Sequence, residues 1–538
     1  VSRILLLGGY GGFGGRIARR LAEAGHDVLV AGRSVARAKA FCADRPHLTP
    51  VEVDRTAITT ALDLHRPDLL VDASGPFQAM DYAIPIACIA AGTHYLDIAD
   101  GRAFVAGIGA LDDAARGAGV AVVSGASSVP ALSGAAVRRL AEGMDRVRAV
   151  EIAISASNRA TAGPAVAAAI LGQIGKKMQI WRGGRWGDAF GWQDVHKLDF
   201  AVPGGTPITG RWVALVDVPD LKLLPDRLPG KPAVTFRAGT ELGFQNRLLW
   251  LAGCAVRWRL VRSLCPLARW LQPLQSLTRG FGSDRSAMAV RLFGDTSSGR
   301  IERCWTLVAD RGDGPEIPAL SVLPIATNIL SGREAAGARD AGLSLTLDDY
   351  GPAFATLAIR HAIEERAAPP PLYERVMGAR FASLPAPVRA MHDVWRDGGA
   401  SGRAEVAAPA GVIAGVVARV VGFPAPGSHD LHVSFAEENG RETWTRDFGG
   451  RRFRSHLSEH RGQLVERFGA LRFAFDLHSD ADGLTMVMRR WWLGPIPLPL
   501  FLAPRSVARE WAEDGRFHFD VPIALPLFGR ITHYRGWL

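Results

Sequence analysis

Cysteine is scarce in this chain. There are five, Cys42, Cys88, Cys254, Cys265 and Cys304, with no C-x-x-C pair among them, in 538 residues. An odd number cannot close completely into disulfides, so a reducing compartment is the simpler expectation. Long apolar runs are also missing. No uninterrupted stretch approaches the ~20 residues of a membrane-spanning helix, and the first one, residues 4–7, is too short for a secretory signal. The expected location is the cytoplasm, with peripheral contact on a membrane allowed. Acid is in deficit: 53 Asp+Glu face 63 Lys+Arg, a formal charge of +10. That balance suits an anionic small molecule, an anionic membrane or nucleic acid. No helix-turn-helix, zinc or RNP-type signature accompanies the charge, so nucleic acid is not expected. Hydrophobic residues at 48% and charged residues at 22% are those of a globular chain. Its length predicts about three domains.

What is present begins at once. Residues 3–7, RILLL, read as a buried strand, apolar on both faces. GGYGGFGGRIARRLAEAG follows, in which Gly9, Gly11 and Gly14 satisfy G-x-G-x-x-G around Gly12 and Phe13. The first glycine makes a tight turn, the second admits a pyrophosphate to the backbone, and the third lets helix pack on strand. The helix N-terminus then offers unpaired N–H groups to the phosphates. A second strand, residues 27–31, ends in Gly32, Arg33 and Ser34, with no carboxylate where NAD-binding folds usually place one. A guanidinium pairs with a 2′-phosphate, which a carboxylate would repel. NADP(H) is therefore expected over NAD(H). Another buried strand ends in Ser74, Gly75 and Pro76, and the segments GTHYLDIAD (92–100) and GVAVVSGASSVPAL (119–132) repeat the pattern of strand then small residues.

Together, GGYGGFGGRIA, AGRS, DASGPF, GTHYLDIAD and GASSVPAL resemble, in order and spacing, the saccharopine-dehydrogenase-like oxidoreductases. DGPEIPAL (313–320) and AGARDAGLSLTLDDYG (336–351) extend the likeness more weakly. The resemblance implies a Rossmann-type NADP-binding domain over residues 1–130 and an α+β catalytic domain over 131–385 with a helical return segment after about 350. The family includes lysine-pathway dehydrogenases, lipid-associated members and trans-acting enoyl reductases, so the resemblance leaves the substrate open. No Tyr is followed by Lys at the Y-x-x-x-K spacing, which disfavours a short-chain dehydrogenase.

Strand alternation in HYLDIAD puts Tyr95 and Asp97 on one face, with Asp100 just beyond the strand. Tyr95 is the expected proton donor, with Asp97 or Asp100 orienting it or binding substrate. Ser127 and Ser128 are expected to contact cofactor or substrate. In the next domain, strand 147–155 leads to Arg159 and Thr161, substrate-side candidates ahead of a helix beginning at Pro164. No residue set reads as a metal site. His456-Leu-Ser-Glu-His460 spells H-x-x-E-H, but it lies in a region that reads as strand and turn rather than helix.

Residues 242–283 hold six Arg and no Asp or Glu, with Trp250, Trp258 and Trp270 among many Leu and Val. This composition suits a helix lying in a membrane interface, with a stripe from Leu260 through Leu264, Leu267, Leu271 and Leu274. A helical subdomain or a homodimer contact is the alternative. Linkers are expected at 368–371 and 383–391. Beyond them, alternation at Leu471, Phe473, Phe475 and Leu477, and at Phe517, Phe519, Val521 and Ile523, predicts a separate β-rich antiparallel domain over 386–538. A barrel or helix-grip fold is expected, with a helix near 410–421 to plug or grip its apolar face. This tail resembles a domain of unknown function fused behind such reductases. The expected whole is an NADPH-dependent oxidoreductase acting on a lipophilic small molecule at a carbonyl, imine or activated C=C. The alternatives are an amino-acid dehydrogenase of the saccharopine or carboxynorspermidine type, and a lipid-binding protein with structural NADP(H).

Overall fold

The computed structural model describes residues 2–159, 164–267, 277–278 and 280–538. Thr161 and residues 268–276 of the basic segment therefore lie outside the described residues. The first sheet contains β1 (Arg3–Leu7), β2 (Asp27–Gly32), β3 (Leu48–Glu52), β4 (Leu69–Asp72), β5 (His94–Asp97) and β6 (Ala121–Ser124). A seventh strand, Gly337–Asp340, completes the spatial order 337–340, β6, β5, β4, β1, β2, β3, with every pairing parallel. Both faces of β1 are buried: Ile4 and Leu6 enter one core, Leu5 and Leu7 another. This is why its sequence is a continuous apolar run. Helix α1 (Gly14–Glu23) leaves the glycine loop and buries Ile17, Ala18 and Leu21. The strand order reverses between β1 and β4, so a crevice is expected at their carboxyl ends.

A second, mixed sheet is built around β7 (Arg146–Ala156), which pairs parallel with Ala233–Thr240 and antiparallel with Ser286–Thr296. Two expectations change here. The return segment is not simply helical, because Gly337–Asp340 rejoins the first sheet and Ile359–Ala367 is an edge strand of the second. The domain boundary at residue 130 therefore omits a strand that the chain adds much later. Edge strands tolerate charge on both faces, and Arg360, Glu364, Glu365 and Arg366 disguise this one as a helix surface. The two sheets fall in one compact unit, residues 1–180, 187–297 and 301–366.

The other unit comprises residues 181–186, 298–300 and 367–538. Its strands pair antiparallel in the order Leu471–Ser479, Gln463–Phe468, Arg451–His460, Arg441–Phe448, Gly427–Glu438, Asp397–Ala407, Gly529–Trp537, Arg516–Leu525, Val507–Glu513, Gly483–Leu493. The last pairs back on the first, Phe475 with Met488 and Leu477 with Met486, and closes a ten-strand barrel. Inward Phe435, Trp444, Phe448, Phe473, Phe517 and Phe519 pack with Tyr373, Met377, Val388 and Met391. Those last four come from helices Leu372–Met377 and Ala386–His392. The expected linker at 383–391 is thus partly a buried helix, and residues 372–392 supply the plug. Helix Val412–Val421, expected to plug, leaves Val412 85% and Val420 81% exposed. The H-x-x-E-H stretch lies on strand Arg451–His460.

Candidate dinucleotide site

Gly8 turns the chain out of β1 at φ +73°, and a Cβ there would stand 2.8 Å from the Ala73 carbonyl oxygen. The N–H groups of Gly8 and Gly9 donate to the Ala31 carbonyl, at 2.9 and 3.2 Å, and that of Gly11 to Gly8 at 2.8 Å. Among the described residues, no acceptor takes the N–H of Gly12, Phe13 or Gly14. These are the orphan donors of the α1 N-terminus, aimed as an anion cradle. A Cβ on Gly14 would lie 2.1 Å from the Gly8 oxygen. Its required role is therefore the close approach of helix to loop.

At the end of β2, the Tyr10 ring lies where a Gly32 Cβ would be, its hydroxyl oxygen 2.5 Å from that point. The same hydroxyl accepts from Ser34 N–H at 3.0 Å, and the Arg37 guanidinium stands 5.0 Å over the ring. Ser34 caps the following helix, its Oγ accepting from Arg37 N–H at 3.4 Å. Arg33 is exposed and makes no hydrogen bond or ion pair with a described residue. The β2 terminus thus carries cations and no carboxylate of its own, with Asp54 of the segment after β3 within electrostatic reach of Arg33.

The loop after β4 differs from expectation at Ser74. Its Oγ donates to Asp72 Oδ1 at 2.5 Å and accepts from Arg55, while Arg55 Nη1 also lies 2.9 Å from Asp72 Oδ2. The Ser74 hydroxyl is committed to the protein, leaving the Gly75–Pro76 backbone as the part of this loop open to a nucleotide. Gly75 is half-buried and Pro76 exposed.

Tyr95 and Asp97 do share a face of β5, but that face is covered. Tyr95 is 0% exposed among Leu5, Leu70, Cys88 and Val122. Its hydroxyl meets no partner, and burial pushes its pKa well above the ordinary phenol range. This corrects the expectation of a proton donor, since a fully buried hydroxyl, held near the buried carboxylates of Asp97 and Asp72, reaches no substrate. Asp97 is also buried. Its Oδ1 accepts from Ala99 N–H at 2.9 Å, Gly125 N–H at 2.7 Å and Ser124 Oγ at 3.0 Å. It is a positioning residue that ties the loops after β5 and β6 together. Asp100 differs: half-buried, past the strand end, it accepts from Gln78 Nε2 at 2.9 Å, and burial raises its pKa.

After β6, Ser127 and Ser128 are nearly buried, and neither hydroxyl bonds a described residue. Arg159 is exposed. Beside it, a clamp that sequence reasoning missed holds the loop. Glu241 accepts from Asn158 N–H at 2.8 Å, Ser283 N–H at 2.9 Å and Arg211 Nη2 at 3.0 Å. The basic segment is also rearranged. Its described helix is Gly243–Arg257, and Arg259 at φ +62° lies beyond its end. The stripe from Leu260 therefore does not continue one helix: Leu264 is buried, whereas Leu260 and Leu267 are exposed.

Two stretches of the chain match known families. Residues 4–123 match the saccharopine dehydrogenase NADP binding domain. Residues 384–538 match a domain of unknown function, DUF4166. Apo saccharopine dehydrogenase (L-Glu forming) from Saccharomyces cerevisiae is similar over 68% of this chain and 100% of its own, at 12% identity and a TM-score of 0.48. Homospermidine synthase from Legionella pneumophila, in complex with NAD, is similar over 68% and 91%, at 12% identity and a TM-score of 0.43. Amine dehydrogenase from Mycobacterium smegmatis is similar over 63% and 95%, at 9% identity and a TM-score of 0.36. No curated protein matches the chain. The domain match indicates a nicotinamide cofactor, and the glycine loop fits one, with unpaired donors and no Cβ in the cradle.

One residue of the DGPEIPAL stretch reaches the glycine-loop helix. Glu316 takes Arg16 Nε at 2.7 Å and Arg20 Nη2 at 2.9 Å, holding α1 from outside the matched segment. A titration test follows from Asp97. Burial pushes its carboxyl up to about 7, so the folded state holds a proton that the unfolded chain releases near pH 4. Stability contributed by this group is present at low pH and lost as pH rises from about 4 to about 7, on the order of 4 kcal/mol. Asp97→Asn keeps an acceptor and cannot ionise. Its stability relative to the native chain should rise across that window in denaturant titrations at successive pH values. A pH-independent difference contradicts the assignment.

Proposed function

We propose that the chain is an NADPH-dependent reductase of a lipophilic small molecule bearing a carbonyl, imine or activated C=C. The observation that carries this reading is the end of β2: cationic Arg33, in no ion pair, follows a strand with no terminal carboxylate and lies one loop from an amide-lined anion cradle. Gly12, Phe13 and Gly14 would hold the pyrophosphate through their N–H groups, and Arg33, aided by Arg37, the 2′-phosphate. The reduced nicotinamide, when bound, supplies the hydride. Asp100 would give the proton to the substrate; its support is that burial raises its carboxyl and Gln78 holds it just past the end of β5. Asp97 positions the loops on either side of it. The lipophilic character is supported by helix Gly243–Arg257, which leaves Phe244, Leu248 and Leu251 exposed beside arginines and no acid.

Oxidation of NADPH, followed at 340 nm with extracted cell lipid as the substrate source, tests the reading. Turnover that depends on the extract supports it, whereas NADPH bound without turnover favours a structural nucleotide. Asp100→Asn should lower kcat by about 10²-fold or more with NADPH affinity nearly unchanged. Unaltered turnover removes Asp100 from the chemistry.

A further inference from the structure

One end of the barrel carries an apolar surface that the redox reading does not use. Strand Asp397–Ala407 ends there and leads to helix Val412–Val421. Ala410 N–H donates to the Arg530 carbonyl at 2.8 Å, which sets the start of that helix beside the tip of the 525–529 hairpin. On the hairpin's other strand Ala524 exchanges backbone hydrogen bonds with Arg505. Arg505 closes the loop that contains Leu500–Leu502. Three elements therefore meet at this end, and each turns large apolar side chains outward. Val412 and Val420 stand on the helix, Leu527 (98% exposed) and Phe528 on the hairpin, and Phe501 (76%) on the loop.

The stretches of chain that carry these side chains hold no acid. Residues 408–429, 483–509 and 521–538 contain no Asp or Glu, while Arg419, Arg505 and Arg530 lie among them. The loop reads GPIPLPLFLAPR, so Pro495, Pro497, Pro499 and Pro504 lack the N–H groups that would otherwise be desolvated in an apolar medium. A two-fold contact of these stretches with a second copy would bring arginine toward arginine, with no carboxylate from the same stretches to pair them. An anionic lipid surface meets both demands, taking the apolar tips below the headgroups and the guanidinium groups at the phosphates.

We propose that this end of the barrel docks the protein on an anionic membrane surface. The proposal is independent of the coenzyme assignment. Its test is co-sedimentation of the full chain with phosphatidylcholine vesicles, with and without phosphatidylglycerol. The native chain should bind the vesicles with phosphatidylglycerol more tightly, and salt should weaken that binding. Phe501→Glu/Leu527→Glu, both at exposed sites, should cut the affinity by about tenfold or more and leave Tm and NADPH binding intact. Arg505→Glu should weaken binding to the anionic vesicles alone. Leu248→Glu/Leu251→Glu separates the other exposed apolar helix. If that pair alone abolishes binding while the barrel pair leaves it unchanged, the proposal is overturned. It is also overturned if the barrel pair changes only the oligomeric state by light scattering, or if binding ignores lipid charge.

Discussion

Gly14→Ala should abolish measurable dinucleotide binding, with a loss of about a hundredfold or more, and destabilise the first unit by about 3 kcal/mol or more. The added methyl group would stand 2.1 Å from the Gly8 oxygen, 2.8 Å from its carbonyl carbon and 3.0 Å from the Gly9 Cα. All three are backbone atoms, so no rotamer change relieves the contact, and α1 must retreat from the loop that its N-terminus completes. Gly12→Ala is the control. A Cβ there meets nothing within 4 Å and the backbone is not left-handed. Stability should stay within about 0.5 kcal/mol. Equal stability losses at both positions, read by denaturant titration, contradict the packing role assigned to Gly14.

Arg33→Ala should weaken NADPH binding by about 10- to 100-fold while leaving NADH binding nearly unchanged. A charge-assisted hydrogen bond contributes about 1.5–3 kcal/mol, and the 2′-phosphate is the group that distinguishes the two coenzymes. Arg33 is exposed and in no ion pair, so the loss should come without a change in Tm. Arg33→Asp should go further and favour NADH, because a carboxylate repels the phosphate and accepts from the free ribose hydroxyl. Fluorescence titration of each variant with both coenzymes reads the ratio directly. Parallel losses for NADPH and NADH would mean that Arg33 supports the loop generally and does not select.

Local signals made the first sheet and the barrel legible. An apolar run, glycines at fixed spacing and an amphipathic helix describe β1, its loop and α1, because each is specified within a few residues. Alternation at Leu471–Leu477 and Phe517–Ile523 likewise marks strands with one buried face. What the sequence hid depends on distant partners. Alternation places Tyr95 and Asp97 on one face but cannot say that Ile84, Cys88 and Ile108 cover it. Ser74 reads as a free turn hydroxyl until Arg55 and Asp72 come together around it. Strand Gly337–Asp340 is recognisable only beside β6. The valine-rich helix Val412–Val421 has the composition of a plug. Only the position of residues 372–392 in the barrel interior shows that the plug is elsewhere.

The account stands on the claim that the glycine loop and Arg33 together bind a phosphorylated dinucleotide. Calorimetric titration of the purified chain with NADPH and, separately, NADH tests it most directly. Saturable binding of both, with NADPH tighter by about tenfold or more, is the predicted result. Failure of both coenzymes to bind, or tighter binding of NADH, would contradict it.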